Sequence, residues 1–175
     1  MNTTEIILFA GLGCYIIAAQ LGRHPVSLRR FLAPLIAVVA VAAFYLKSVP
    51  TIGGDLTFEL ACTAAGLAFG VLAASLVRVE RDGARGKIVL QAGIGYAIVW
   101  ALVFGGRLAF GWAASGPWRA AVGQFSMAHE ITGEAAWTAA FVLRAIAMVG
   151  ARTAVLAART LLLARTPQAA RAALA

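Results

Sequence analysis

Apolar side chains in this chain fall in long unbroken runs, separated by short polar or glycine- and proline-containing breaks. Within the runs no two-residue alternation appears, so a membrane β-barrel does not fit. Segments apolar on every side read as helices lying in lipid, which must close their own backbone hydrogen bonds. About 20 such residues cross a hydrocarbon core about 30 Å thick. The first run covers residues 6–22 and ends at Arg23-His24-Pro25, with Arg29-Arg30 beyond. The second covers 31–49 and places Pro34 in its first turn, where a missing N–H costs little. Pro50 and Gly53-Gly54 turn the chain into a third run, 56–77, in which Gly66 and Gly70 form a small-xxx-small face. A fourth covers 88–113 and is broken by Ser115-Gly116-Pro117, and a fifth runs from near Thr132 to Arg165, before Pro167. The pattern predicts an all-α integral membrane bundle of five transmembrane helices, one domain over 1–166 with a short tail at 167–175.

Charge then orients the bundle. Lys and Arg are retained on the cytoplasmic side of short loops. Segments after the first, third and fifth runs carry Arg23, Arg29, Arg30, Arg78, Arg81, Arg85, Lys87, Arg159, Arg165 and Arg171, whereas the opposite segments carry only Lys47 and Arg119. The expectation is an outside N-terminus and an inside C-terminus. The first run is not expected to be a signal peptide, because Glu5 precedes it and the basic cluster follows it. Residues 132–165 would make a helix about 50 Å long, so its end is expected to leave the inner face as a basic cytoplasmic extension. Between the third and fourth runs, Asp82-Gly83 suits a tight turn, leaving a hairpin and a plain polar loop both open.

Composition strengthens the membrane reading. Of 175 residues, 62% are hydrophobic and 13% charged, too few polar side chains to cover a globule in water. Mean hydropathy is +0.87. The net charge of +8 could suggest nucleic acid, but the cations cluster between apolar runs, so no nucleic-acid partner is expected. Cys14 and Cys62 lie inside apolar runs with no CxxC, which reads as two small buried hydrophobes. A dithiol between the first and third spans is the alternative.

Candidate chemistry is sparse. His24 and His129 belong to opposite membrane faces and cannot clamp one haem iron, and no covalent haem motif exists. His129-Glu130 with Glu134 departs from the metalloprotease spacing and reads better as an acidic first helical turn. No catalytic residues, metal site or cofactor are expected. Charges inside spans are the informative feature, because an Arg at the bilayer centre costs about 2.5–3.5 kcal/mol even on lenient scales. Arg107, Arg144, Glu59, Glu130 and Glu134 could gather in the outer half of the bundle, either tying helices together or forming a small pocket for an anion, lipid headgroup or peptide. Glu134 and Glu59 are the expected partners of Arg107, with Gly105 and Gly106 letting a neighbouring helix approach. Arg152, Arg159 and Arg165 are expected to meet anionic lipid headgroups on the cytoplasmic side. Of Trp100, Trp112, Trp118 and Trp137, three fit an interfacial aromatic belt.

Three stretches resemble the CcdC-like family of bacterial membrane proteins: Gly22-Arg23-His24-Pro25 through Arg30-Phe31-Leu32-Ala33-Pro34, the loop from Val77 to Gly83, and Trp100 to Leu108. The resemblance covers about residues 15–113. It implies a small multi-span protein of the bacterial inner membrane with no established catalytic role. The segment beyond Ser115, with Arg-Thr repeated at Arg152, Arg159 and Arg165, departs from the family pattern. The expectation is a non-enzymatic accessory or sensor-type subunit with a membrane protein partner or a second copy of itself. The alternative is a small oligomeric transporter with Arg107 and Arg144 lining the path.

Overall fold

The computed structural model describes residues 22–45, 53–82 and 87–165, together with Gly11. The first expected span, with Cys14, therefore lies outside the described residues. Among them the chain forms strand β1 (Gly22–Pro25), helix α1 (Leu28–Tyr45), helix α2 (Asp55–Ser75), strands β2 (Val77–Arg81) and β3 (Ile88–Ala92), and helices α3 (Ile94–Ser115), α4 (Arg119–Ala128) and α5 (Glu134–Arg165). Among the described residues three helices, α2, α3 and α5, are long and apolar enough to cross a membrane, and only 22%, 17% and 33% of their most apolar stretches are buried within the protein. Leu60 and Val71 of α2 and Leu102 of α3 are among the large apolar side chains left exposed.

α5 is the centre of the fold and packs most heavily on α2, then on α1. Helices α2 and α5 run in the same direction. Asp55 at the start of α2 meets Thr132 just before α5, and Arg159 near the end of α5 meets Ala74 and Val77 at the end of α2. Between those ends, Gly66 and Gly70 rest on α5 itself. A Cβ at Gly66 would stand 2.3 Å from the Arg144 carbonyl oxygen, and one at Gly70 would stand 2.4 Å from that of Met148. The small-xxx-small face thus acts as expected, bringing two backbones together. Ala136, Ala139 and Ala140 are fully or almost fully buried, so short side chains line the α5 side as well.

α3 is held differently. Its aromatic stripe, Tyr96, Trp100 and Phe104, packs on a core that includes Ala73, Ala74, Met148 and Val149. Large rings keep the α3 backbone farther from α5 than glycine keeps α2.

The chain is not all-α. β1, β3 and β2 form an antiparallel sheet in that order, with Arg23 opposite Gln91 on one edge and Arg78 opposite Gln91 on the other. The hairpin is closed by the Asp82 N–H donating to the Lys87 carbonyl at 2.8 Å. Residues 88–92 are therefore strand, and the fourth long helix starts at Ile94, past the extended Gly93. A short apolar run of this kind cannot be told from the start of a helix by periodicity. Val77, Val79 and Leu90 pack against the helix core, while Arg78 and Glu80 are exposed. The sheet is an amphipathic lid on one end of the helices.

α1 starts at Leu28, so Pro34 lies in its second turn rather than its first. There its missing N–H leaves the Arg30 carbonyl without the usual donor. The segment after Gly116-Pro117 forms α4 rather than a plain connection.

Candidate functional site

The end of the fold opposite the sheet is built around Asp55. Its carboxylate is completely buried and accepts the Thr132 N–H at 2.9 Å and the Thr132 hydroxyl. Gly54 N–H donates to the Glu130 carbonyl at 3.2 Å, and a Cβ on Gly54 would collide with the His129 carbonyl oxygen. Glu130 adopts φ 54°, which turns the chain from α4 into α5. A buried carboxyl group that accepts from both an N–H and an O–H of one residue is a specific tie between the two segments. Sequence reasoning misses Asp55 as a key residue. Its position opening a helix, beside Gly53-Gly54, is the signal that could have found it.

The five members of the expected charge cluster are spread along this end rather than joined. Glu130 and Glu134 are exposed at the α4–α5 turn. Glu134 occupies the first turn of α5, where a carboxylate suits the helix dipole. Glu59, one turn after Asp55, is 3% exposed, and its Oε1 has no hydrogen-bond partner. Arg107 does not pair with Glu134 or Glu59. Its guanidinium lies 4.3 Å from the centroid of Phe141. Among the described residues no helix lies close to Gly105 or Gly106, since a Cβ at each would meet nothing there within 4 Å.

Arg144 and Arg152 repeat the Arg107 arrangement. Arg144 stacks over Phe69 of α2 at 5.3 Å, and Arg152 over Tyr96 of α3 at 5.2 Å. The Nε of each is buried without a hydrogen-bond partner. Among the described residues, no carboxylate lies within ion-pair distance of Arg107, Arg144 or Arg152. The aromatic partners Phe69, Tyr96 and Phe141 are not among the expected site residues, although Phe141 and Arg144 are neighbours on one helical turn. Arg159 donates from Nη1 to the Ala74 and Val77 carbonyls, each at 3.0 Å. Arg165 is exposed at the end of α5.

Near Arg107 the aromatic side chains leave an open apolar groove of about 330 Å³, lined by Phe110, Trp118, Ala121, Val122, Phe125 and Trp137. Trp137 stacks on Phe110 at 4.9 Å and donates its Nε1–H to Ser126 Oγ at 3.1 Å. Trp112 and Trp118 are exposed, whereas Trp100 is buried and Trp137 faces the groove, so two of the four tryptophans have the surface position expected of a belt. His129 packs on Phe125, with ring centroids 4.1 Å apart, and its Nδ1 is 2.9 Å from the Phe125 carbonyl oxygen. It therefore acts as the end-cap of α4. His24 sits in β1, at the other end of α2.

The sheet end collects cations. Arg23, Arg78, Arg81 and Lys87 lie on or beside its strands, with the end of α5 adjoining. Arg23 approaches Glu80 at 3.8 Å, and both side chains are about half exposed or more. Arg81 donates to the Leu163 carbonyl of α5 at 3.1 Å. Comparison with family models, with curated proteins and with solved structures returns no match.

Proposed function

We propose that this chain is a multi-pass protein of the bacterial cytoplasmic membrane, crossing five times with its N-terminus outside and its C-terminus inside. In this reading it serves as a non-enzymatic accessory or sensor-type subunit. The carrying observation is the uncovered apolar surface of the long helices: Leu60 of α2 is 60% exposed, Val71 of α2 49% and Leu102 of α3 67%. Surfaces of that kind suit lipid or another membrane helix and would be costly in water. The parallel course of α2 and α5, with α3 between them in sequence, is what alternating crossings require. The cationic sheet end fits the cytoplasmic face, where Arg165, Arg23 and Arg78 would meet anionic headgroups at about 1 kcal/mol each. The CcdC-like resemblance points to a bacterial inner membrane.

Cysteine-accessibility labelling in intact cells tests the topology. A cysteine placed at Ser27 or Asp82 should resist an impermeant reagent, and one at Met127 should react. The reverse pattern would overturn the orientation. Native mass spectrometry from mild detergent tests the subunit role, with a stoichiometric second chain or a defined homo-oligomer expected. An isolated monomer that carries a solute saturably into liposomes would replace this reading with the permease alternative.

A further inference from the structure

We infer that Glu59 of α2 is a proton-binding carboxyl whose protonation keeps the α2–α5 joint at Asp55 closed. The inference deepens the sensor-type reading by naming what is sensed. It rests on the membrane reading, since a dry surrounding makes an unpaired carboxylate far costlier than a neutral carboxyl.

Asp55, Glu59, Gly66 and Gly70 are buried and follow one another at four- and seven-residue steps, so both acids lie on the stripe of α2 that packs on α5. Asp55 is 0% exposed and Glu59 3%. Asp55 is satisfied, because its two oxygens accept the Thr132 N–H and hydroxyl. Glu59 is not satisfied: its Oε1 is buried and has no hydrogen-bond partner. Glu59 is four residues into α2, about 6 Å along the axis, so a proton arriving from that end travels only a short way.

The groups around it supply no counter-charge. On α2 the neighbouring titratable side chains are Asp55 and Cys62. The α4–α5 turn and the start of α5 bring His129, Glu130 and Glu134, all exposed. Arg144 of α5 backs Gly66, seven residues beyond Glu59 or about 10 Å along the helix. Arg107 of α3 lies on Phe141, and Arg29 and Arg30 open α1 beside the sheet, at the other end of the fold. Among the described residues no cation is within ion-pair distance of Glu59.

Two carboxylates one turn apart in a dry site repel, and a single proton on the pair removes the repulsion. Thr132 already supplies both Asp55 oxygens with donors, which leaves Glu59 to hold that proton. Its loss sets a charge behind Asp55 and favours opening and hydration of this end, with release of the Thr132 N–H. The joint between α2 and α5 thereby responds to pH.

The test uses the full-length protein in phosphatidylcholine nanodiscs. Dicyclohexylcarbodiimide, an apolar reagent that adds to protonated carboxyls, should label Glu59 at about pH 6 and at least about tenfold less at about pH 9. Hydrogen exchange around Thr132 should quicken over the same range relative to Glu59→Gln, which copies the protonated form and should stay closed. If that variant fails to fold, labelling of the unmutated protein still decides. No adduct at Glu59, an adduct at Asp55 in its place, or equal labelling at both pH values would overturn the inference. So would exchange around Thr132 that matches Glu59→Gln at every pH. Suppression of labelling by sodium but not by choline, at constant ionic strength, would make the ligand a metal cation and overturn the proton. Release of the protein from membranes by alkaline carbonate bears on the membrane reading alone and leaves these outcomes separable.

Discussion

Arg159 donates from a single guanidinium nitrogen to the Val77 carbonyl, and to that of Ala74, joining the end of α5 to the end of α2. Ala74 lies in the last turn of α2, where carbonyls lack intrahelical donors and carry the negative end of the dipole, so a cation there is doubly favoured, and Val77 opens β2 just beyond it. The tie is reciprocal, because Arg81 just beyond α2 donates to Leu163 in the last turn of α5. Arg159→Ala should lower stability by about 2 kcal/mol, with Arg159→Lys recovering part of it. Chemical denaturation in detergent measures both. A lysine variant no better than the alanine one would show that directional donors, rather than charge, make the cap.

Gly66 should tolerate no side chain. A Cβ there would lie 2.3 Å from the Arg144 carbonyl oxygen, which is backbone and cannot swing aside. Gly66→Ala should cost about 3 kcal/mol, at the upper end for overpacking. Gly105→Ala meets nothing within 4 Å among the described residues and should be neutral or slightly stabilising through helix propensity. Melting curves of the two variants side by side separate packing from propensity.

Asp55 and Thr132 should behave as a coupled pair. Asp55→Ala leaves the Thr132 N–H and hydroxyl without their acceptor and should cost about 3 kcal/mol. Thr132→Val removes the hydroxyl but retains the N–H and should cost about 1 kcal/mol. Added to Asp55→Ala, the valine substitution should cost almost nothing further. Strict additivity in the double-mutant cycle would contradict the coupling.

Cys62 is a free thiol in α2 and half-buried. Replacing it with Ala, alone or together with Cys14→Ala, should leave the melting temperature within a few degrees of the unmutated value. Reductant should leave the unmutated protein equally unaffected. A large loss produced by either treatment would point to a disulfide.

Much of the helical architecture is legible in the residues. Uninterrupted apolar runs locate α2, α3 and α5 to within a few residues at most ends, and Gly66 with Gly70 marks the close-packed face. The sheet is less so. Val77 and Val79 alternate with Arg78 and Glu80, but β3 reads Ile-Val-Leu and merges into the run that becomes α3. Gly93 is the one punctuation mark between them, and a lone glycine is tolerated within a helix.

Long lipid-compatible helices and the gathering of cations at one end need nothing beyond side-chain type and spacing, so the residues in order are enough to give both. The partners of the charged groups are a different matter, because they come from packing. Arg107 matches Glu134 and Glu59 equally well on sign and expected depth, yet helix rotation turns it onto Phe141, and Arg159 onto carbonyls. Rotation depends on which faces interlock. Glycines meeting backbone between α2 and α5 set it, together with aromatic rings that hold α3 away. These are contacts between residues far apart in the chain, and no local pattern records them.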